Sequence, residues 1–181
     1  MALVLSGDSP SISGTYQGGV LTSGTAVAST SGTSIDFTSI PSWVKRITVM
    51  FNGVSTNAAG SSPFLLQIGS GSVLSTGYVS YSGVINNSNQ TATTSGSTGF
   101  VLSTAMGNSS TVNGHFILTI FSATTWVGSH VFGGLDGSGS NVVRHGGGVS
   151  PSLSGILDRV RITTVNGTDT FDAGSINILW E

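Results

Sequence analysis

The sequence predicts an all-β protein: an antiparallel β-sandwich, jelly-roll-like, with an extended N-terminal arm. Its apolar residues arrive in short runs of β-branched and aromatic side chains separated by clusters of Gly, Asn, Ser and Pro, the spacing of strands and turns. No window of about 11–18 residues carries an apolar stripe at helical spacing. Charged residues are 7% of the chain, against about 25% in a typical soluble domain, so surface helices would lack the ion pairs that support them. Gly (27), Ser (32) and Thr (22) supply 81 of the 181 residues. Hydrophobic residues still make up 38%, too many for a disordered chain, which combines low hydropathy with high charge.

Residues 1–33 form the expected arm. Brief apolar clusters (Leu3-Val4-Leu5, Ile12, Val20-Leu21) interrupt a Gly/Ser/Thr background, and such a segment cannot bury enough side chain to offset its own ordering entropy. It gains order by packing on the domain, on a neighbouring subunit or on a larger assembly.

Residues 34–181 form the sandwich domain, with about eight to ten short strands and polar turns. The clearest strands are Lys45–Phe51, His115–Phe121, Arg159–Val165 and Ile176–Trp180. In the first, Ile47, Val49 and Phe51 share one face and Arg46 and Thr48 the other, a period of two. In the third, Val160 and Ile162 alternate with Arg159, Arg161 and Thr163, which turns the guanidinium groups outward. Further strands are expected at 64–68, 78–85, 99–103, 125–132 and 141–144. The wholly polar stretch Asn86–Ser97 reads as a long exposed loop. Asn166-Gly167 is expected to form a type I′ hairpin turn joining Arg159–Val165 to Thr168–Asp172, because that turn needs positive φ at both central residues; Asn52-Gly53 is a second turn candidate.

The charge balance excludes several partners. Five basic residues and a net charge of −2 are too few for general contact with nucleic acid or with an anionic membrane surface. No apolar run approaches the length of a membrane span, and Met1–Leu5 lacks a basic flank and a long apolar stretch, so the chain is expected to be soluble and unprocessed. Zero cysteines remove disulfides, thiol catalysis and Cys-ligated zinc together.

No catalytic, cofactor or metal site is expected. His145-Gly146-Gly147-Gly148 has the composition of a backbone oxyanion loop, but no serine has glycine at both −2 and +2, as a nucleophile elbow requires; the triple glycine is expected to be a loop with positive φ. His115, His130 and His145 lack metal-ligand spacing. Among the acids, Asp158, Asp169 and Asp172 would serve carboxylate chemistry only if the last strands brought them together, and turn capping explains them better. Lys45-Arg46 with Arg159 and Arg161 would make an anion patch only if their strands paired; outward-facing, partly paired charges are the expectation. Five aromatics remain as glycan-stacking or subunit-interface candidates: Trp43, Trp126, Trp180, Tyr78 and Tyr81.

Two segments carry a family resemblance. The stretch from Ser31-Gly32-Thr33-Ser34-Ile35-Asp36-Phe37 through Pro41-Ser42-Trp43-Val44-Lys45-Arg46 to Val54-Ser55, and the ending Leu157-Asp158-Arg159-Val160-Arg161-Ile162 through Asn166-Gly167-Thr168-Asp169 to Asn177-Ile178, resemble a module of tailed-bacteriophage virion proteins of the tail-fibre or structural type. The resemblance covers most of the chain after about Thr22 and is looser between Ala58 and Ser154. It implies a β-sandwich, a location in the virion and homo-oligomeric assembly, most often as a trimer, with no catalytic residues. Met1-Ala2-Leu3-Val4-Leu5 is similar to the start of many phage fibres, where the N-terminal part attaches to other capsid or tail proteins. The chain has no heptads, collagen-like repeats or shaft sequence, which suits a short tip, a head fibre or a capsid decoration protein. A carbohydrate-binding module that contacts host-surface glycan is the competing reading, and a polysaccharide depolymerase comes third.

Overall fold

The computed structural model describes residues 21–57, 62–86 and 91–181. Among these the chain is all-β, with no helix and every strand pairing antiparallel. Fourteen strands follow in order: β1 (Thr22–Ser23), β2 (Val27–Ala28), β3 (Ile35–Thr38), β4 (Arg46–Thr56), β5 (Phe64–Ser70), β6 (Ser72–Val73), β7 (Val79–Asn86), β8 (Thr91–Gly96), β9 (Phe100–Val101), β10 (Val112–Ile120), β11 (Trp126–Leu135), β12 (Asn141–Val149), β13 (Arg159–Thr164) and β14 (Phe171–Trp180). They build two sheets. The large one runs β1-β14-β4-β10-β11-β12-β7-β8, with β2 also on β14, and the small one runs β3-β13-β5-β6, with β9 also on β5.

The expected alternation sets the inner faces. Ile47, Val49 and Phe51 of β4 are buried, as are Phe116 and Leu118 of β10, Ile176 and Ile178 of β14, and Val160 and Ile162 of β13. They meet Leu66 and Ile68 of β5 in one core shared by the two sheets. A row of rings crosses it: Tyr78, Phe100, Phe116, His130, Phe132 and Phe51 stand in succession with centroids 4.9–5.8 Å apart, the spacing at which aromatic pairs attract beyond simple burial.

Asn52-Gly53 lies within β4 rather than ending it. Gly53 has φ +64° and Gly174 on neighbouring β14 has φ +88°, and the register between these strands shifts on both sides of Ala173, so the pair forms a bulge that only glycine accommodates easily. Asn113 Oδ1 accepts the Gly53 N–H at 2.7 Å.

Three local expectations are corrected. The stretch Asn86–Ser97 is not one loop, because β8 (Thr91–Gly96) pairs along β7 from Ile85 to Ser80; its β-branched threonines suit an edge strand once a partner supplies hydrogen bonds. Asn166-Gly167 does not close a hairpin. β13 and β14 belong to different sheets, only Gly167 has positive φ, at +67°, and its N–H bonds the Thr164 carbonyl at 3.1 Å, so the turn carries the chain from one sheet to the other. His145-Gly146-Gly147-Gly148 is part of β12, none of its glycines has positive φ, and a Cβ on any of the three would overlap the backbone of a neighbouring strand.

Of the expected arm, residues 1–20 lie outside the described residues. Residues 21–33 run along the edge of the large sheet: β1 and β2 pair with β14, and buried Ser29 donates its N–H to Gly174 O at 2.9 Å and its hydroxyl to Ala173 O at 2.7 Å.

Candidate functional site

The register of the large sheet places side chains in rows on its outer face. One row reads Met50, His115, Val131, His145, Gly83 and Thr93 across β4, β10, β11, β12, β7 and β8. The next reads Thr48, Ile117, Ser129, Gly147, Tyr81 and Ser95. Alternation turns these residues away from the core, because antiparallel partners share a face. Six large apolar residues of this face stand in solvent: Val79, Tyr81, Ile85, Val127, Val131 and Val143. Among the described outward residues of β7, β8, β10, β11 and β12 there is no Asp, Glu, Lys or Arg; Arg46 of β4, at the end of a row beside Thr119, is paired with Glu181 at 3.2 Å. The face therefore mixes exposed valines with Ser, Thr and the imidazoles of His115 and His145, carries no carboxylate or lysine on these five strands, and has a shallow hollow of ≈170 Å³ between Ile117, Val127 and Ser129.

The inner face beneath carries buried polar groups of its own. His130 lies between the Phe116 and Phe132 rings, Ser82 Oγ stands 3.2 Å from its Nε2, and its Nδ1 is buried without a partner. Burial, helped by the neighbouring His145, pushes its pKa down to about 4, so it is neutral at pH 7. Arg144, 1% exposed, donates to Leu135 O at 2.9 Å and Thr111 O at 3.4 Å, while its Nε has no partner. Burial pulls its pKa down, with the Asp136 charge opposing. Arg144 thus ties the carbonyls at the ends of two loops, a structural task.

Asp158 stands apart from Asp169 and Asp172. Asp158 precedes β13 and is held by Arg159 at 2.8 Å and by the Gly71 N–H; its hydrogen bonds to Arg159 are the main reason its pKa is lowered. Asp169 and Asp172 follow the other end of β13, bound to Asn166 Nδ2 and to the Ser55 hydroxyl. A six-residue strand between them spans roughly 20 Å, well beyond the roughly 5–9.5 Å separation of glycosidase carboxylates. Asp136 accepts from the Ser138 hydroxyl and the Ser138 and Ser140 N–H groups, which hold its carboxyl below the usual range, the Ser138 hydroxyl most of all. No group of three His, Cys, Asp or Glu among the described residues stands close enough to hold a metal. The basic residues are split as well, with Arg46 on the large sheet and Arg159 and Arg161 on the small one, where Arg161 pairs with Asp36 at 2.6 Å.

The five aromatic candidates separate. Trp126 and Tyr78 are core residues, 1% and 2% exposed; Tyr78 accepts the Ile68 N–H at 3.0 Å and reaches Leu74 O at 3.1 Å, and burial pushes its phenol up to about 12. Trp43 and Trp180 are half-buried against the core, and Trp180 sits opposite Thr22 of β1. Tyr81 alone stands in solvent, 62% exposed, beside a hollow of ≈280 Å³ that Ser95 and Ser97 also line. A polar groove of ≈410 Å³ crosses the small sheet between Gln67, Thr98, Arg161 and Asn166. The valines of the outer face escaped the reading of the sequence, although Trp126-Val127 and Val142-Val143 put apolar residues on both faces of one strand, the mark of a strand meant to be covered twice. Compared with family models, with curated proteins and with solved structures, the chain gives no significant match.

Proposed function

We propose that this chain is a non-enzymatic structural protein of a tailed-phage virion, a tail-fibre-like or head-fibre component that assembles with copies of itself. In this reading the N-terminal arm attaches to other capsid or tail proteins and the jelly-roll-like sandwich is displayed toward the host surface. The observation that carries the structural half is the outer face of the large sheet, broad and free of carboxylates and lysines on β7, β8, β10, β11 and β12, with valines in water, a surface suited to being covered by protein. Asp158, Asp169, Asp172, His130 and buried Arg144, each engaged in local structure, support a role without chemistry. The virion half rests on the resemblance of segments 31–55 and 157–178, and a capsid decoration protein satisfies both halves as well. The repeated passage of the chain between sheets, at β3 to β4, β4 to β5 and β13 to β14, supports the jelly-roll-like form.

Immunogold electron microscopy of phage particles encoding the chain, with antibody raised against the full protein, tests this reading. Label on capsid or tail is expected. Particles free of label and of peptides from the chain would overturn it, as would turnover of host polysaccharide by the purified protein. A carbohydrate-binding module remains the second reading because Tyr81 presents an exposed ring beside a serine-lined hollow; it expects glycan-array binding that disappears in Tyr81→Ala.

A further inference from the structure

We infer that the outer face of the large sheet is the contact between two copies of this chain, paired face to face about a two-fold axis. The inference deepens the self-assembly part of the function proposed above by naming the surface and its partner, and it stands or falls separately from the virion location.

Area comes first. Six neighbouring strands, β4, β10, β11, β12, β7 and β8, span roughly 24 Å at about 4.8 Å per strand, and rows from Asn113 to Thr119 add roughly 20 Å along the strands before side chains are counted. The face is therefore of the order of 500–700 Å², close to the roughly 800 Å² that each partner of a standard stable complex covers. Six of the eleven large hydrophobic residues found exposed among the described residues lie on it, whereas a half-covered antiparallel sheet normally turns polar residues to water.

Charge selects the occupant. Apart from the imidazoles of His115 and His145 and one edge arginine paired with Glu181, the described residues of this face carry no charged side chain, so it offers little to steer a strongly charged partner, and a copy of itself meets it with few like charges opposed. Pleated faces stack about 10 Å apart by interdigitation, and relief of the right kind is present. Tyr81, Gly147, Ser129 and Ile117 occupy one row, with the protruding ring at one end and the hollow beside Ser129 toward the other. An axis near Gly147 sets the Tyr81 of each copy over the Ser129 hollow of its partner, the self-complementary arrangement an isologous contact demands.

The test is the mass of the full-length protein by light scattering and sedimentation at about 50 μM, alone and with Val131→Lys plus Val143→Lys. Both valines are about half exposed, 56% and 47%, so the fold has room for the lysine stems, and unchanged thermal unfolding checks this. The wild type is expected as a two-copy species of twice 18.2 kDa, and the double variant at least 100-fold weaker in association. Tyr81→Lys, on a different strand, gives an independent loss, while Val165→Lys, exposed on the inter-sheet turn, leaves association intact. A monomeric wild type overturns the inference. So does an oligomer of any order that survives both the double variant and Tyr81→Lys, or a trimer that they dissolve, since a trimer is not a two-fold pair. A monomer whose Tyr81 binds glycan assigns the face to sugar and overturns it too. A dimer that meets the prediction but is absent from particles leaves the contact standing and removes only the virion reading.

Discussion

Strands β11 and β12 carry opposite departures from ordinary polarity on their two faces. Toward the core they place His130 and Arg144, 3% and 1% exposed, among phenylalanines; toward water they place Val131 and Val143, about half exposed. The inner polar groups are held by the fold, His130 beside Ser82 and Arg144 on two backbone carbonyls. The outer valines, Val131 between His115 and His145 and Val143 opposite Ile85, stay about half in water. The difference separates what stabilises one copy of the chain from what remains available to a second.

Replacing Phe116 by Ala is the strongest way to expose that asymmetry. Its ring is fully buried, lies between Phe100 and His130, and occupies the space a Cβ on Gly128 would take. A loss of about 3–5 kcal/mol is expected from lost burial and the cavity left behind, read by urea unfolding, whereas Ile117→Ala one position along, on the outer face, is expected to lose under about 1 kcal/mol in the monomer.

Arg144→Ala comes next, at about 3 kcal/mol, because it empties a buried site and removes the guanidinium donor from the Thr111 carbonyl and from the Leu135 carbonyl, which keeps only the Thr111 N–H. Arg144→Met, which fills the volume and also removes a buried charge, is expected to lose less than half as much. Equal losses in the two variants would mean that the lost guanidinium hydrogen bonds, not the cavity, set the effect.

His130 makes the inner face sensitive to acid. Its pKa falls from 6.5 to about 4 on folding, so the unfolded chain binds the extra proton between those values and protons favour unfolding. The contribution is fully present above pH about 6.5 and lost as pH falls to about 4, a total of about 3 kcal/mol at 1.36 kcal/mol per pKa unit. Unfolding midpoints measured from pH 7.5 to 4 should fall steeply for the wild type and more shallowly for His130→Phe; parallel slopes would place the acid sensitivity elsewhere, in carboxylates such as Asp158 and Asp136.

Strands with one wet face were legible in the sequence. β4, β10, β13 and β14 show alternation that survives folding because one side meets the core and the other meets water. β8 was not, since a Thr/Ser/Gly run shows no apolar period and becomes a strand only when β7 offers its edge. The crossing at Asn166-Gly167 was misread because local turn chemistry says that the chain reverses, not which sheet receives it. The direction of Arg144 depended on register: Val142 and Arg144 share a face, and nothing local makes that face the inner one. Of the five aromatic candidates only Tyr81 reached open surface, since the large apolar area of an aromatic ring is what a core selects first. Composition also hid the face without carboxylates or lysines, which becomes a property of one surface only after the register brings five strands together.

The smallest expected effect on stability is the most informative about the outer face. Val131→Lys adds a solvated cation at a position already 56% exposed, with Gly133 and Ser129 beside it on the same side of β11. A change within about 0.5 kcal/mol is therefore expected for the unfolding of an isolated copy. If the valine serves the fold, the loss is larger and independent of protein concentration. If it serves a contact between copies, the dilute protein is unaffected and the variant loses only the extra stability that the wild type gains with concentration, because association stabilises the native state by mass action. Unfolding followed at about 1 μM and about 100 μM decides between the two: a gap between wild type and variant that opens with concentration belongs to a second copy, and a constant gap belongs to the sheet itself.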